Sequence, residues 1–470
     1  MELLDTIAAI STPHGKGGVA VLRVSGAEAV EIASRVFVPK SGKTLAECGS
    51  RTAIYGDILA PEGEEWLPVD DGLATVFRAP ASFTGEDTVE INCHGGILLT
   101  QTVLSALLTA GARMARPGEF TRRAFLNGKI GLGAAEAVGS LLEAQSRGQM
   151  TLALGGLHGR LEARSRACYE QLRTVLTSVL ACIDFPDEDL SEMSREDMIN
   201  TLTVTHRELV ALGNTYRTGH AIAEGIPTVI CGRTNVGKSS LYNRLLGREA
   251  AIVTDIEGTT RDILSETTTL GQVTLRLFDT AGLRDTADTV ERIGIDRARR
   301  AMDEAELILA LFDATRPLAD EERDMITVLS NKQKAGVPVI GLLNKSDAAD
   351  GAVLSAVEDE VRREIDQVLL ISAQTGEGMD TLRTLVSDLF VDGSISLRDD
   401  AVVVNARQMA TVTRATEALR CSLDALSAGL PMDLCCVDLT AAMSALSELD
   451  GREIGEDVVN EIFSHFCVGK

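Results

Sequence analysis

Residues 228–247, TVICGRTNVGKSSLYNRLLG, leave little freedom in what can surround them. A β-branched run ends at Gly232, a glycine-rich loop follows, and a run with helical spacing begins near Lys238. From Gly232 to Ser239 the spacing is G-x-x-x-x-G-K-S. A loop of this form between a strand and a helix turns its backbone N–H groups toward one point, where the helix dipole adds to the pull on an anion. Lys238 then reaches the β and γ oxygens of a nucleotide, and the Ser239 hydroxyl ligates Mg²⁺. The strand, loop and helix require a βαβ unit, so a mostly parallel sheet must lie on either side.

The rest of 226–388 supplies that sheet. The apolar runs LRLFDT, LILALFD, VPVIGLLNK and VLLISA alternate with helix-like stretches. LFDTAG (277–282) ends one strand, which makes Asp279 an acid that reaches Mg²⁺ through a bound water and Gly282 an N–H donor to the γ-phosphate. LLNKSD (342–347) ends another. The Asp347 carboxylate can accept from guanine N1–H and the 2-amino group. Adenine lacks both donors and would leave that carboxylate unpaired. Asn344 and Lys345 frame the base, and ISAQTG (371–376) caps its edge from Ser372 and Ala373. DIEGTTRD (255–262) holds the switch threonines Thr259 and Thr260, one of which supplies a second hydroxyl to Mg²⁺. Four elements in this order specify a GTPase domain.

Leu283 follows the DTAG run, at a point where Ras-type GTPases carry a water-orienting glutamine. Leucine has neither donor nor acceptor, so hydrolysis is slow or another residue orients the water. Arg284 is one in-chain rival for charge stabilisation.

Before this block, residues 1–120 alternate Val/Ile-rich runs at 18–26, 51–59, 71–79 and 87–96 with turns, followed by a helix over 97–111, which predicts an α+β domain. Residues 121–221 carry long 3.6-period stretches, interrupted by the acidic break DFPDEDL (184–190). Past the polar stretch 392–400 the chain is helical again. Two helical blocks flanking an α/β block predict one discontinuous all-α domain, 121–221 with 391–470, and a P-loop domain, 222–390, inserted into it.

Composition removes several function classes. The formal net charge of −24 excludes a globally basic nucleic-acid binder, and 3% aromatic residues argue against stacking platforms for bases. MELLDTIAAI lacks the basic start of a signal peptide, and no apolar run reaches the length of a membrane helix. Nine scattered cysteines without a CxxC pair suggest reduced thiols in a cytoplasm. Cys435–Cys436 is expected in a helical core. His94, in NCHGG, reads as a turn residue, and Cys467 as a small buried residue.

GRTNVGKSS, REAAIVTDIEGTTRD, DTAGLRDTADTVERIGI and the terminal FCVGK together resemble the MnmE (TrmE) family of bacterial tRNA-modification GTPases. TPHGKGGVAVLRVSG, SFTGEDTVEINCHGG and RPGEFTRRAFLNGKI match it too, so the resemblance spans essentially the whole chain. It implies an N-terminal folate-binding domain, a discontinuous helical domain and an inserted G domain, and homodimers joined through the N-terminal domains. It implies an FAD-dependent MnmG partner, with which an aminomethyl-type group is installed on the wobble uridine of certain tRNAs.

For GTP, the resemblance implies contacts from Asn235, Val236, Gly237, Lys238, Ser239 and Ser240. The switch adds Thr254, Asp255, Ile256, Glu257, Gly258, Thr259 and Thr260, and the DTAG turn adds Asp279, Thr280, Ala281 and Gly282. Mg²⁺ falls to Ser239 and Thr260. The water-orienting role falls to Glu291, in DTVERIGI, with Lys238 and Asn235 as its catalytic companions. A K⁺ ion, held by Asn235, Thr254, Ile256 and Thr259, stands where an arginine finger otherwise enters. G-domain dimerisation across the nucleotides then orders the switch. For 5-formyl-tetrahydrofolate the matching positions are Arg23, Glu90, Lys129 and Lys470. Two other functions remain open on the residues alone: a GTP-dependent switch in ribosome or RNA–protein assembly, and a folate-dependent one-carbon transferase regulated by GTP. A switch needs neither the folate-like domain nor the FCVGK end.

Overall fold

The computed structural model describes residues 5–184, 193–249, 265–278, 302–452, 459, 462–463, 466 and 469. They fall into two compact units: 1–139 with 156–166 and 447–470, and 140–155 with 167–446.

The first unit is built on a seven-stranded sheet. Its strands are β1 (Ile7–Ile10), β2 (Gly17–Ser25), β3 (Phe37–Pro39), β4 (Ala53–Glu62), β5 (Glu65–Phe77), β6 (Thr88–Gly95) and β7 (Arg113–Met114), in the order β3-β4-β5-β6-β2-β1-β7. All neighbours are antiparallel except β1 and β7. Period-2 burial along β2 turns Leu22 and Val24 inward, where Ile91, Val103 and Leu107 join them. Helices Ala29–Val36 and Ile97–Thr109 contribute to that core. The four Val/Ile-rich runs of the sequence are β2, β4, β5 and β6. The short strands β1, β3 and β7 were not among the expected elements.

The sheet is tied to the segment after it by a buried charge network. Arg123 is 1% exposed. It donates to the Asp5 carbonyl at 2.8 Å, to Asp5 Oδ1 at 2.6 Å, to both Glu86 oxygens at 3.2 Å and to Glu119 Oε1 at 3.1 Å. Arg113 donates to Asp5 Oδ2 at 2.6 Å and to Glu119 Oε1 and Oε2 at 2.6 and 3.1 Å. Burial works to raise the Glu119 and Asp5 carboxyls, but the two guanidinium partners outweigh it and hold both below the usual range. Residues near the end of the chain return to this unit: Phe463 packs its ring at a tilt against Phe125 and Phe466, and the Ser11 hydroxyl donates to the Gly469 carbonyl at 3.1 Å. Gly469, with φ +100°, lies so close to the Ile10 carbonyl that a Cβ would collide with it.

The second unit combines helices with a six-stranded sheet. Helices Arg160–Asp184, Arg195–Asn214, Ala406–Ser427 and Met432–Leu449 share one core, lined by Cys168, Leu172, Leu202, Leu209, Leu419 and Leu439. The partners are separated in sequence by the whole P-loop block, so the helical domain is discontinuous and the α/β domain is inserted, as the pattern predicts. Ser194 caps the second of these helices through the Asp197 N–H, and Asn405 caps the third through the Gln408 N–H. Cys435 is buried here, as expected.

The inserted sheet runs β13-β12-β11-β8-β10-β9. Its strands are β8 (Ile226–Gly232), β9 (Ser265–Leu270), β10 (Val273–Phe278), β11 (Leu307–Asp313), β12 (Val339–Asn344) and β13 (Gln367–Leu370). Pairing is parallel throughout except for the β9–β10 hairpin at the edge. Every residue of β11 and β12 is buried, as strands covered by helices on both faces must be. β9 escaped the sequence reading because SETTTL is threonine-rich rather than apolar.

Candidate functional site

The C-terminal ends of the central parallel strands are where such a sheet presents its loops to ligand. β8 ends at Gly232, whose φ of +149° lets the chain pass close to the Leu311 carbonyl. Asn235 is left-handed at φ 65° and exposed, and Gly237 has φ +103°. A Cβ on Gly237 would collide with the Asn344 amide, so only glycine lets the loop approach β12. Helix Lys238–Glu249 begins immediately after, with Ser239 and Ser240 exposed in its first turn. Val236 is buried under the loop.

Lys238 folds back over its own loop. Its Nζ donates to the carbonyls of Gly232 at 2.8 Å and Arg233 at 2.7 Å. Burial pushes the ammonium below its usual pKa, and no carboxylate pairs with it among the described residues. An anion of high charge is what this half-buried cation lacks. Burial also pushes the neighbouring Cys231 thiol up to about 12, so it stays protonated and inert.

Asn344 is the hub of the base side. It is 2% exposed. Its Nδ2 donates to the Val236 carbonyl at 2.7 Å, and its Oδ1 accepts from the Ala373 N–H at 2.9 Å. One side chain therefore joins the phosphate loop to the 371–376 loop. Lys345 is left-handed at φ 66° and pairs with Asp313 at 2.7 Å. Burial acts to raise the Asp313 carboxyl, but hydrogen bonds from Lys345 and Thr315 prevail and keep it low. Asp347 is exposed in the short turn Ser346–Ala348. Ser372 is buried, and its hydroxyl accepts from the Thr375 N–H.

The structure thus brings together Asn235 to Ser240, Asn344, Lys345, Asp347, Ser372 and Ala373. Within the 371–376 loop, the Ala373 N–H is taken by Asn344. Sequence reasoning also missed Arg244, which donates from Nε to the Ala373 carbonyl at 2.6 Å and from Nη2 to the Gln374 carbonyl. Thr254, Asp255, Ile256, Glu257, Gly258, Thr259 and Thr260 lie outside the described residues, as do Asp279, Thr280, Ala281, Gly282, Leu283, Arg284 and Glu291. So do Cys467, Lys470 and most of the acidic stretch 184–190.

A second group lies in the first unit. Arg23 and Glu90 face each other across β2 and β6. Arg23 Nε and Nη2 both donate to Glu90 Oε1, at 3.0 and 2.8 Å, and Oε2 has no partner among the described residues. The guanidinium lies 5.4 Å from the Phe83 ring centroid and 5.6 Å from that of Phe120. Lys129 reaches the other end of the loop that carries Phe83, donating to the Pro80 carbonyl at 2.8 Å. His94 is exposed, and its Nδ1 lies 2.8 Å from Asp70, whose carboxylate holds the imidazole above its usual pKa.

The family described as "GTP-binding protein TrmE N-terminus" matches residues 6–129, and the "MnmE helical domain" matches residues 132–467. This chain belongs to the MnmE (TrmE) family of tRNA-modification GTPases. Relatives of that family cover it from end to end. It is 42% identical to the tRNA modification GTPase MnmE of Symbiobacterium thermophilum over 99% of both chains. It is 40% identical to that of Lacticaseibacillus paracasei over 99% of this chain and 98% of the relative. Against that of Thermoanaerobacter pseudethanolicus the identity is 39% over the whole of both. The glycine-rich loop after β8 and the NKSD and SAQ loops after β12 and β13 lie at one edge of the inserted sheet, joined by Asn344.

Proposed function

We propose that this chain hydrolyses GTP and that the hydrolysis drives modification of the tRNA wobble uridine. The observation that carries the reading is the double hydrogen bond of Asn344, which seats the guanine-side loop against the phosphate loop. The half-buried Lys238, which has no carboxylate partner among the described residues, binds the β and γ oxygens, and exposed Asp347 takes guanine N1–H and the 2-amino group.

Ser239 and Thr260 hold Mg²⁺. The exposed first-turn position of Ser239 fits that role. The amide oxygen of Asn235, projecting from an exposed left-handed residue, fits a hard monovalent cation, and Thr254, Ile256 and Thr259 complete a K⁺ site. Bound there, K⁺ would offset charge developing on the β–γ bridging oxygen. Glu291 orients the attacking water, the role that Leu283 cannot fill. The Glu90 oxygen left free by Arg23 fits the amino-pyrimidine edge of a folate, and Lys129 and Lys470 fit its carboxylates. The chain works in the cytoplasm as a homodimer joined by its N-terminal domains, with an FAD-dependent MnmG-type partner and tRNA. No described helix is long and apolar enough to cross a membrane.

Single-turnover GTP hydrolysis in KCl and in NaCl tests the mechanism. Glu291→Ala should slow turnover by about 10²–10³-fold, the usual scale of a lost positioning or acid–base group, with little change in nucleotide affinity. Asn235→Ala should abolish most of the difference between the two salts. Wild-type rates in Glu291→Ala together with no cation effect would transfer the role to Arg284.

A further inference from the structure

The 371–376 loop spends its backbone donors unevenly. The Ser372 N–H goes to the Glu377 carbonyl at 3.0 Å, and the Gly376 N–H to the Ser372 carbonyl at 2.8 Å. The Thr375 N–H goes to the Ser372 hydroxyl at 3.0 Å, and the Ala373 N–H to Asn344 at 2.9 Å. The Gln374 N–H has no partner among the described residues, and Gln374 is exposed. It is the one amide of this turn still able to meet a ligand.

That amide belongs to the peptide group whose carbonyl is Ala373 C=O. In a trans peptide the C=O and N–H point in opposite directions from one plane. Arg244 grips the carbonyl of this peptide through Nε at 2.6 Å, and that of the next peptide, Gln374 C=O, through Nη2. A guanidinium presents its N–H groups in a rigid fork, so two bonds fix direction as well as distance. The fork is fixed in turn, because Arg244 stands on helix Lys238–Glu249, whose first turn carries Lys238 and Ser239. Asn344 holds the same loop from the other side, through the Ala373 N–H.

We infer that Arg244 is a positioning residue for base selection, which aims the Gln374 N–H at the O6 acceptor of guanine. This rests on the proposed reading of the site as a GTP site. It moves the base-edge donor one residue along from Ala373, whose N–H is already used. It also links base choice to the phosphate loop, since one helix carries both Lys238 and the residue that sets the donor. Adenine presents a 6-amino donor where guanine presents O6, so a fixed N–H there rejects it as the free Asp347 carboxylate does.

The test measures affinities of the full chain for GDP and for 6-thioguanosine diphosphate, which keeps N1–H and the 2-amino group but carries a weak sulfur acceptor at position 6. Wild type should prefer GDP. Arg244→Ala should weaken GDP binding about tenfold, the scale of one lost neutral hydrogen bond, and leave the thio analogue nearly unchanged, erasing the preference. Arg244→Lys, which can reach one carbonyl but cannot fork, should retain part of it. An unchanged preference in Arg244→Ala, or equal losses for both nucleotides, overturns the inference. Should Arg244→Ala misfold, Arg244→Gln carries the same comparison. Failure of wild type to bind GDP at all would instead refute the GTP-site reading.

Discussion

Replacing Asn344 by alanine should cost this protein most of its nucleotide affinity while leaving the residues that touch phosphate intact. The size follows from the geometry. The substitution deletes a donor bond of 2.7 Å to Val236 and an acceptor bond of 2.9 Å from Ala373. Each bond removed costs about 1–2 kcal/mol, between its net worth and the desolvation of the buried partner it orphans. Val236 and Ala373 are both buried, so neither freed group can turn to bulk water without moving its loop. A loss of about 2–4 kcal/mol corresponds to a factor of about 30–1,000 in affinity. Dissociation of a fluorescent GDP analogue from the full chain reads this, and the change should fall mainly on the off-rate. Asn344→Asp is the sharper variant. It keeps an acceptor for the Ala373 N–H but sets a carboxylate against the Val236 carbonyl, so it should bind no better than the alanine variant. Wild-type affinity in either would refute the idea that this side chain joins the two halves of the site.

Two further outcomes follow from charges away from the nucleotide. Arg123→Met strands Asp5, Glu86 and Glu119 around a site where the guanidinium is 2% exposed, and should destabilise the N-terminal unit by about 3–5 kcal/mol in thermal or urea unfolding; an unchanged midpoint would show that the network contributes nothing net. His220, on helix Tyr216–Ala223, is paired first with Glu224 at 3.1 Å and then with Glu306 at 3.6 Å, which raise its pKa to about 9. A raised folded-state value stabilises fully below the unfolded value of about 6.5 and fades as pH climbs through about 9. Unfolding of wild type should therefore lose up to about 2 kcal/mol over that window relative to His220→Gln, allowing for the half-exposed carboxylates; parallel pH profiles would remove the pair from the account.

What could be read in the sequence divides along physical lines. The phosphate loop, NKSD and SAQ were legible because each needs fixed residue types at fixed local spacing. The α/β rhythm was legible because strands buried on both faces must be nearly continuously apolar, as β11 and β12 are up to their last residues, Asp313 and Asn344. β9 was hidden because an edge strand can be built from threonines. Arg244 was hidden for another reason: its partners lie about 130 residues away and are backbone carbonyls, which leave no trace in side-chain identity. Arg123 looked like one basic residue among several in RPGEFTRRAFLNGKI, and only folding shows it buried among three carboxylates. The Arg23–Glu90 pair came from family resemblance, and the strand register supplies its physical reason, since the two residues stand directly opposite. Spacing names the 371–376 loop but does not say which of its amides is already spent, as the Ala373 N–H is on Asn344.

The claim that GTP hydrolysis by this chain serves tRNA modification is tested most directly by mass spectrometry of wobble nucleosides. A strain lacking the chain should lose the aminomethyl-type uridine from its tRNA, recover it with the wild-type chain, and not recover it with Glu291→Ala expressed at the same level. Full recovery by Glu291→Ala would separate hydrolysis from modification, and an unaltered nucleoside profile in the deletion strain would contradict the account and favour a GTP-dependent assembly switch.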